Sequence, residues 1–163
     1  MIFRNIAIIT LFLSVFISCN EPIKELCFVE FDRNKGFEAP ALLTLDMRDT
    51  VSPQQLLLSA RLHTYNSSVI ATSIPLIVKI VSPSGLCKND TISLPLNFSE
   101  SAELKHNKIN GYINFQWPYR KNIINREAGV WTFELSPYIS EEQDNNIFKN
   151  ITGLGISCKK EEQ

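Results

Sequence analysis

The sequence predicts an all-β fold, a single antiparallel β-sandwich of jelly-roll or immunoglobulin-like topology. About eight short segments carry period-two apolar alternation, the spacing that turns one strand face toward a core. Gly, Pro, Asn, Asp and Ser cluster between those segments as turn signals. Strands and helices do not alternate in the order that builds a parallel sheet, which leaves a sandwich. Apolar residues make up 44% and charged residues 20% of the 163, a globular rather than a disordered composition. Without an internal repeat or low-complexity linker, one domain over residues 27–158 is expected.

Residues 1–18 precede that domain and read differently. Arg4 supplies a positive n-region, Ile6 to Ile17 form a run of twelve mostly apolar residues, and the small Ser18 stands before Cys19. The pattern is that of a cleaved secretory signal, because the run falls short of the ~20 apolar residues that span a bilayer. With cysteine at the cleavage point it resembles a bacterial lipoprotein lipobox. That resemblance implies a diacylglycerol thioether on Cys19 and usually a further acyl chain on its amine. Two such signals give stable membrane anchoring where one gives marginal binding. An ordinary secretory signal with an incidental Cys19 is the competing reading, and Phe16, where leucine is usual, keeps it open. Residues 19–26 would form a lipidated tether. From Cys19 to Glu25 it reaches roughly 20 Å when extended.

The strands follow in order. Cys27, Val29 and Phe31 alternate with Phe28, Glu30 and Asp32, and Asp32-Arg33-Asn34-Lys35-Gly36 is a turn cluster. Ala41, Leu43, Leu45 and Met47 share one face of a second strand, which Asp49-Thr50-Val51-Ser52-Pro53 breaks. From Gln54 to Tyr65, Leu56, Leu58, Ala60 and Leu62 alternate with Leu57, Ser59, Arg61 and His63. A helix over Leu56 to Leu62 fits by propensity, but the flanking Pro53 and Asn66-Ser67-Ser68 favour a strand. The β-branched stretch Ile74 to Val81 is apolar on both faces except at Lys79, as suits a central strand. Ser82-Pro83-Ser84-Gly85 should close a hairpin into Asp90 to Phe98, where Pro95 calls for a sheet edge or a bulge.

Ser99 to Lys108 is polar and reads as a loop or one helical turn. Ile109 to Trp117 is expected as one strand with Ile109, Gly111, Ile113, Phe115 and Trp117 inward and Pro118 ending it. Tyr119-Arg120-Lys121 then begins a polar crossing, and Glu127-Ala128-Gly129 turns into a strand with Trp131, Phe133 and Leu135 inward. Ser140 to Asn150 reads as a long loop or a short surface helix. In Ile151 to Cys158, Leu154, Ile156 and Cys158 face in, opposite Gly153, Gly155 and Ser157. Glycines along one strand face mark the close approach of another backbone or of a large side chain. Residues 159–163 are a polar tail.

Charge and chemistry narrow the function. Of sixteen Lys+Arg only Arg4 falls in the leader, so the 145 remaining residues carry fifteen cations against seventeen Asp+Glu. A formal charge of minus two, spread in sign, argues against nucleic acid or an anionic lipid surface as partner. Cys27, Cys87 and Cys158 leave at least one thiol free, and a Cys27–Cys158 bridge joining the chain ends is one pairing open to them. Nucleophile motifs, phosphate-cradling glycines and metal-ligand spacings are absent, and His63 and His106 stand alone. No catalytic residue, cofactor or metal is therefore expected. Trp117 and Trp131 fall on inward faces, leaving Tyr65, Tyr112 and Tyr119 as candidates for a sugar-stacking platform. Asp49-Thr50-Val51 and Asp90-Thr91-Ile92 match the Asp-Thr-aliphatic acceptor of O-glycosylation on exported Bacteroidota proteins, making Thr50 and Thr91 candidate acceptors.

The order of segments also resembles a family, the gliding-motility lipoprotein GldH of the Bacteroidota. The resemblance rests on the lipobox, Arg61-Leu62-His63-Thr64, Ser82-Pro83-Ser84-Gly85 and Asp90-Thr91-Ile92-Ser93-Leu94-Pro95-Leu96. It continues through Gly129-Val130-Trp131-Thr132-Phe133-Glu134-Leu135 and Ile151-Thr152-Gly153-Leu154-Gly155-Ile156. Asn66-Ser67-Ser68-Val69 and Ser99-Glu100-Ser101-Ala102-Glu103 replace segments the family carries, as in a divergent member. The resemblance implies a non-enzymatic lipoprotein held to the membrane through Cys19. It would act with other envelope proteins of the gliding apparatus, which is linked to type IX secretion. A surface glycan- or ligand-binding lipoprotein is the alternative. The tether lacks an acidic run of the kind that marks surface export, which favours a periplasm-facing protein in the cell envelope.

Overall fold

The computed structural model describes residues 25–63, 72–97, 105–139 and 146–161, and Cys19 lies outside them. Nine strands run in chain order as β1 (Glu25–Glu30), β2 (Ala41–Met47), β3 (Gln54–His63), β4 (Ser73–Val81) and β5 (Cys87–Pro95). They continue as β6 (Lys105–Ile109), β7 (Tyr112–Ile123), β8 (Gly129–Pro137) and, after a short helix α1 (Asn146–Asn150), β9 (Ile151–Lys160). All pairings are antiparallel, in a five-stranded sheet β1-β9-β3-β7-β6 and a four-stranded sheet β2-β8-β4-β5. With β6 set aside as a hairpin extension of β7, the order is that of a jelly roll. The first, eighth, third and sixth strands form one sheet, and the second, seventh, fourth and fifth form the other. That order decides between the two topologies the alternation pattern allowed.

The period-two pattern works as expected in β2 and β3. Leu43, Leu45, Leu56 and Leu58 are buried, and between them stand exposed or half-buried residues. They meet Leu76, Val78, Phe133, Leu135, Leu154 and Ile156 in one core. Each such side chain contributes about 1.5–3 kcal/mol by leaving water. β4 is an interior strand and β5 an edge, as their composition demands. The Ser82–Gly85 turn closes the hairpin between them, with the Gly85 amide donating to the Ser82 carbonyl at 2.9 Å. Trp117 is buried, and its indole N–H donates to the Pro95 carbonyl at 2.7 Å.

β9 is buried on both faces from Ile151 to Cys158. Its outward glycines form the floor for one aromatic ring. A Cβ on Gly153 would lie 2.5 Å from the Phe28 ring and one on Gly155 2.6 Å from it. Arg61 caps that ring at 5.1 Å while its guanidinium binds Glu30 at 2.7 Å and Asn114 at 2.9 Å. The glycine stripe did mark a close approach, and Phe28 is what approaches.

The expected strand from Ile109 to Trp117 is corrected. Asn110 (φ 49°) and Gly111 (φ 80°) form a two-residue turn joining β6 to β7, with Ile109 paired to Tyr112. Asn-Gly is the preferred sequence for such a turn, because both residues take left-handed backbone. Lys105 to Lys108, read as loop or helical turn, are strand, and Ile109 is half exposed rather than inward. Nor does Pro118 end β7. It pairs with Leu57 beside a register shift in β3, and β6 reaches only to Gln116 on the other side, so no ladder hydrogen bond is lost. Tyr119, Arg120 and Lys121 are strand residues rather than the start of a crossing.

The two ends of the sandwich are built differently. At the end where β1 finishes and β9 begins, Phe37 is fully buried, stacked on Phe31 at 5.1 Å and edge-on to Phe148 at 6.1 Å. The short helix α1 turns Ile147 and Phe148 into the core rather than lying on the surface. Gly36 (φ +67°) passes so close that a Cβ would lie 2.5 Å from the backbone of Phe148 and Lys149. The opposite end, where β1 starts, stays open.

Candidate ligand cleft at the open end

Three inter-strand loops converge at the open end, 48–53 after β2, 82–86 after β4 and 124–128 between β7 and β8. Between the 82–86 and 124–128 loops the sheets part into a cleft of about 370 Å³, toward the small end of volumes that hold small ligands. Met47, Leu56, Ile80 and Phe133 make its apolar floor, and Trp131 forms a wall. The Trp131 indole N–H donates to the Glu127 carbonyl at 3.2 Å, which fixes the ring. Leu86, Ile124, Lys88 and Arg126 stand at the mouth.

Hydrogen bonds hold the loops. Glu127 accepts from the Ser84 hydroxyl at 3.0 Å and the Ser84 amide at 3.1 Å, and these bonds hold its carboxyl below the usual range. Gly129 (φ +137°) lets β8 start against Pro83, which a Cβ would meet at 3.1 Å. Asp49 accepts from the amides of Ser52 and Val51 at 2.9 and 3.0 Å and pairs with Lys160 at 3.2 Å. Led by the Ser52 amide, those partners hold its carboxyl far below the ordinary carboxylate range.

Behind the loops lies a buried polar group. Gln54 donates to the Asp49 carbonyl at 2.8 Å and accepts from the Cys158 thiol at 3.1 Å and Asn125 at 3.5 Å. Across the sheets, Asp90 accepts from the Tyr119 hydroxyl at 3.0 Å and from Arg120 at 2.7 Å. Burial pushes the Tyr119 phenol above its ordinary pKa. Arg120 Nε is buried without a hydrogen-bond acceptor among the described residues, an orphan donor beside the cleft.

The expected site residues do not assemble around this cleft. Thr50 is exposed on the 48–53 loop, next to the anchored Asp49. Thr91 is exposed on the edge strand β5, next to the anchored Asp90 and opposite Ile77, on a strand rather than a loop. Cys27, Cys87 and Cys158 are all thiols, which corrects the Cys27–Cys158 pairing. Cys27 stands opposite Ile156 and Cys158 opposite Glu25, so the two are diagonal, and the Cys27 sulfur instead accepts from the Thr44 amide at 3.4 Å.

Nor do the tyrosines form a platform. Tyr112 lies between His63, edge-on at 5.0 Å, and Arg33 at 5.2 Å, Tyr119 is tied to Asp90, and Tyr65 lies outside the described residues. Among the described residues no group of three or more His, Cys, Asp or Glu is placed to hold a metal ion.

The cleft itself went unread in the sequence, because its walls come from strands distant in the chain. A signal existed in the single apolar residues set inside two turn segments, Leu86 and Ile124, which are 71% and 58% exposed at the cleft's mouth. Comparison of the chain with protein-family models, curated proteins and solved structures finds no match.

Proposed function

We propose that the protein is a lipid-anchored accessory lipoprotein of the Bacteroidota gliding-motility or type IX secretion machinery, non-enzymatic and acting by protein–protein contacts. The observation that carries the reading is the order Arg4, apolar run, Ser18, Cys19 at the head of the chain, joined to the segment order that resembles GldH. It is supported by the start of β1 at Glu25, which leaves a tether of five residues between anchor and sandwich. Among the described residues no helix is long and apolar enough to cross a membrane.

Deletion of the gene is the test of function. Colony spreading and secretion of type IX cargo both fall in the deletion strain, and intact spreading and secretion overturn the reading. Cys19→Ala is the test of the anchor. The variant domain appears folded in the soluble fraction, and protein that stays on membranes through a high-salt wash argues against lipidation.

The cleft favours a second reading, a lipoprotein that binds a small amphipathic ligand. Its apolar floor suits a hydrocarbon group, and Lys88 and Arg126 at its mouth suit an anionic head group. A glycan would need more polar partners than that floor supplies. Titration of the mature protein with dodecanoate would shift Trp131 emission, and an unchanged spectrum at saturating ligand removes this reading.

A further inference from the structure

We infer that the open end of the sandwich is a membrane-contacting surface, with Val51, Leu86 and Ile124 set into the bilayer interface as three separate apolar tips. The inference rests on the proposed anchor at Cys19. Its first support is tether geometry. The chain enters the fold at the open end, where Glu25 of β1 pairs with Cys158 near the end of β9. The six steps of chain from Cys19 to Glu25 reach roughly 20 Å, whereas a nine-residue strand such as β4 is about 30 Å tall. A bilayer holding the anchor is therefore within reach of the open end, and the closed end stands a strand's length further along the sandwich.

The second support is the apolar side chains that meet this surface. Each of the three inter-strand loops at the open end presents one large apolar residue to solvent, Val51 at 81%, Leu86 at 71% and Ile124 at 58% exposure. Leu86 and Ile124 stand at the mouth of the cleft and Val51 outside it, and none of the three is buried in the core. At a bilayer they would rest about 5–10 Å into the headgroup–acyl boundary, as amphipathic surface elements do.

The third support is charge. The described carboxylates of this end are engaged within the protein: Asp46 by Arg48, Asp49 by Lys160, Asp90 by Arg120, Glu127 by Ser84 and Glu161 by the Asn122 amide. Lys88, Arg126 and Lys159 have no carboxylate partner among the described residues and can meet lipid phosphates. A net negative chain thus carries a locally cationic end, which net charge cannot reveal.

The test uses the full lipidated protein in phosphatidylethanolamine–phosphatidylglycerol vesicles whose acyl chains carry bromine, a contact quencher of tryptophan. Val51→Trp, Leu86→Trp and Ile124→Trp are each compared with the parent protein, so that Trp117 and Trp131 cancel. Ile139→Trp, beyond the other end of β8, is the control. A several-fold loss of the added emission at 51, 86 and 124, with none at 139, is expected. Unquenched tips on vesicle-bound protein overturn the inference and leave the anchor standing, as does equal quenching at 139. Protein that washes off the vesicles overturns the anchor itself and the inference with it.

Discussion

The two ends of this sandwich solve opposite problems. The closed end fills the gap between the sheets with Phe31, Phe37, Ile147 and Phe148, brought in by a turn and a one-turn helix. The open end leaves that gap as a cleft, braces its rim with hydrogen-bonded carboxylates and sends aliphatic side chains outward. Burial of the aromatic plug at one end stabilises the fold, although Ile139 beyond β8 is exposed there too, and the cleft with its exposed rim at the other is available for an interaction. The difference predicts that substitutions at the closed end act on stability and those at the open end on contacts.

The largest effect is expected at the plug. Phe37→Ala should cost about 3–5 kcal/mol in chemical denaturation, since the ring is fully buried between two others. A loss under about 1 kcal/mol would mean that the closed end can collapse around the hole. Gly36→Ala should act in the same direction, combining left-handed strain with contact against the backbone of α1.

Next comes the polar group under the open end. Asn125→Ala removes a partner of buried Gln54 and should cost about 1–3 kcal/mol, with the cleft's ligand response changed less than the midpoint of unfolding. A midpoint indistinguishable from the parent would show that this contact does not brace the loops.

Asp49 makes the open end acid-sensitive. Its folded pKa is depressed below the ordinary value of 3.8, so its contribution is complete above that value and is lost as pH falls toward the folded pKa. Thermal melts of parent and Asp49→Asn should therefore differ most near neutrality and converge below about pH 3.8. A constant difference across that window would mean that the carboxylate charge is not what holds the loop.

The smallest stability effects belong to the tips. Val51→Ser, Leu86→Ser and Ile124→Ser should each shift stability by no more than about 0.5 kcal/mol. A much larger loss at any of the three would show that the side chain packs within the fold, contrary to its exposure.

Much of the fold was legible residue by residue. β2 runs from Ala41 to Met47 as the alternation predicts, because one strand face is buried and the other is not. The edge position of β5 followed from Pro95, and the glycine stripe of β9 from its missing side chains. β6 escaped because all five of its residues are exposed and carry no apolar period. The Asn110-Gly111 turn was overlooked because the flanking residues alternate straight through it. Pro118 misled because its missing amide costs nothing beside a register shift.

The sequence by itself determined which side chains turn inward and which strands could tolerate an edge. Those properties follow from the two-residue repeat of the strand and from the donor that proline lacks. Only the tertiary structure decided the rest. Strand order made the sandwich a jelly roll, Phe28 met the glycines of β9, and loops far apart in sequence came together around a cleft. Those outcomes depend on which distant strands pair, and local periodicity is the same whatever partner a strand takes.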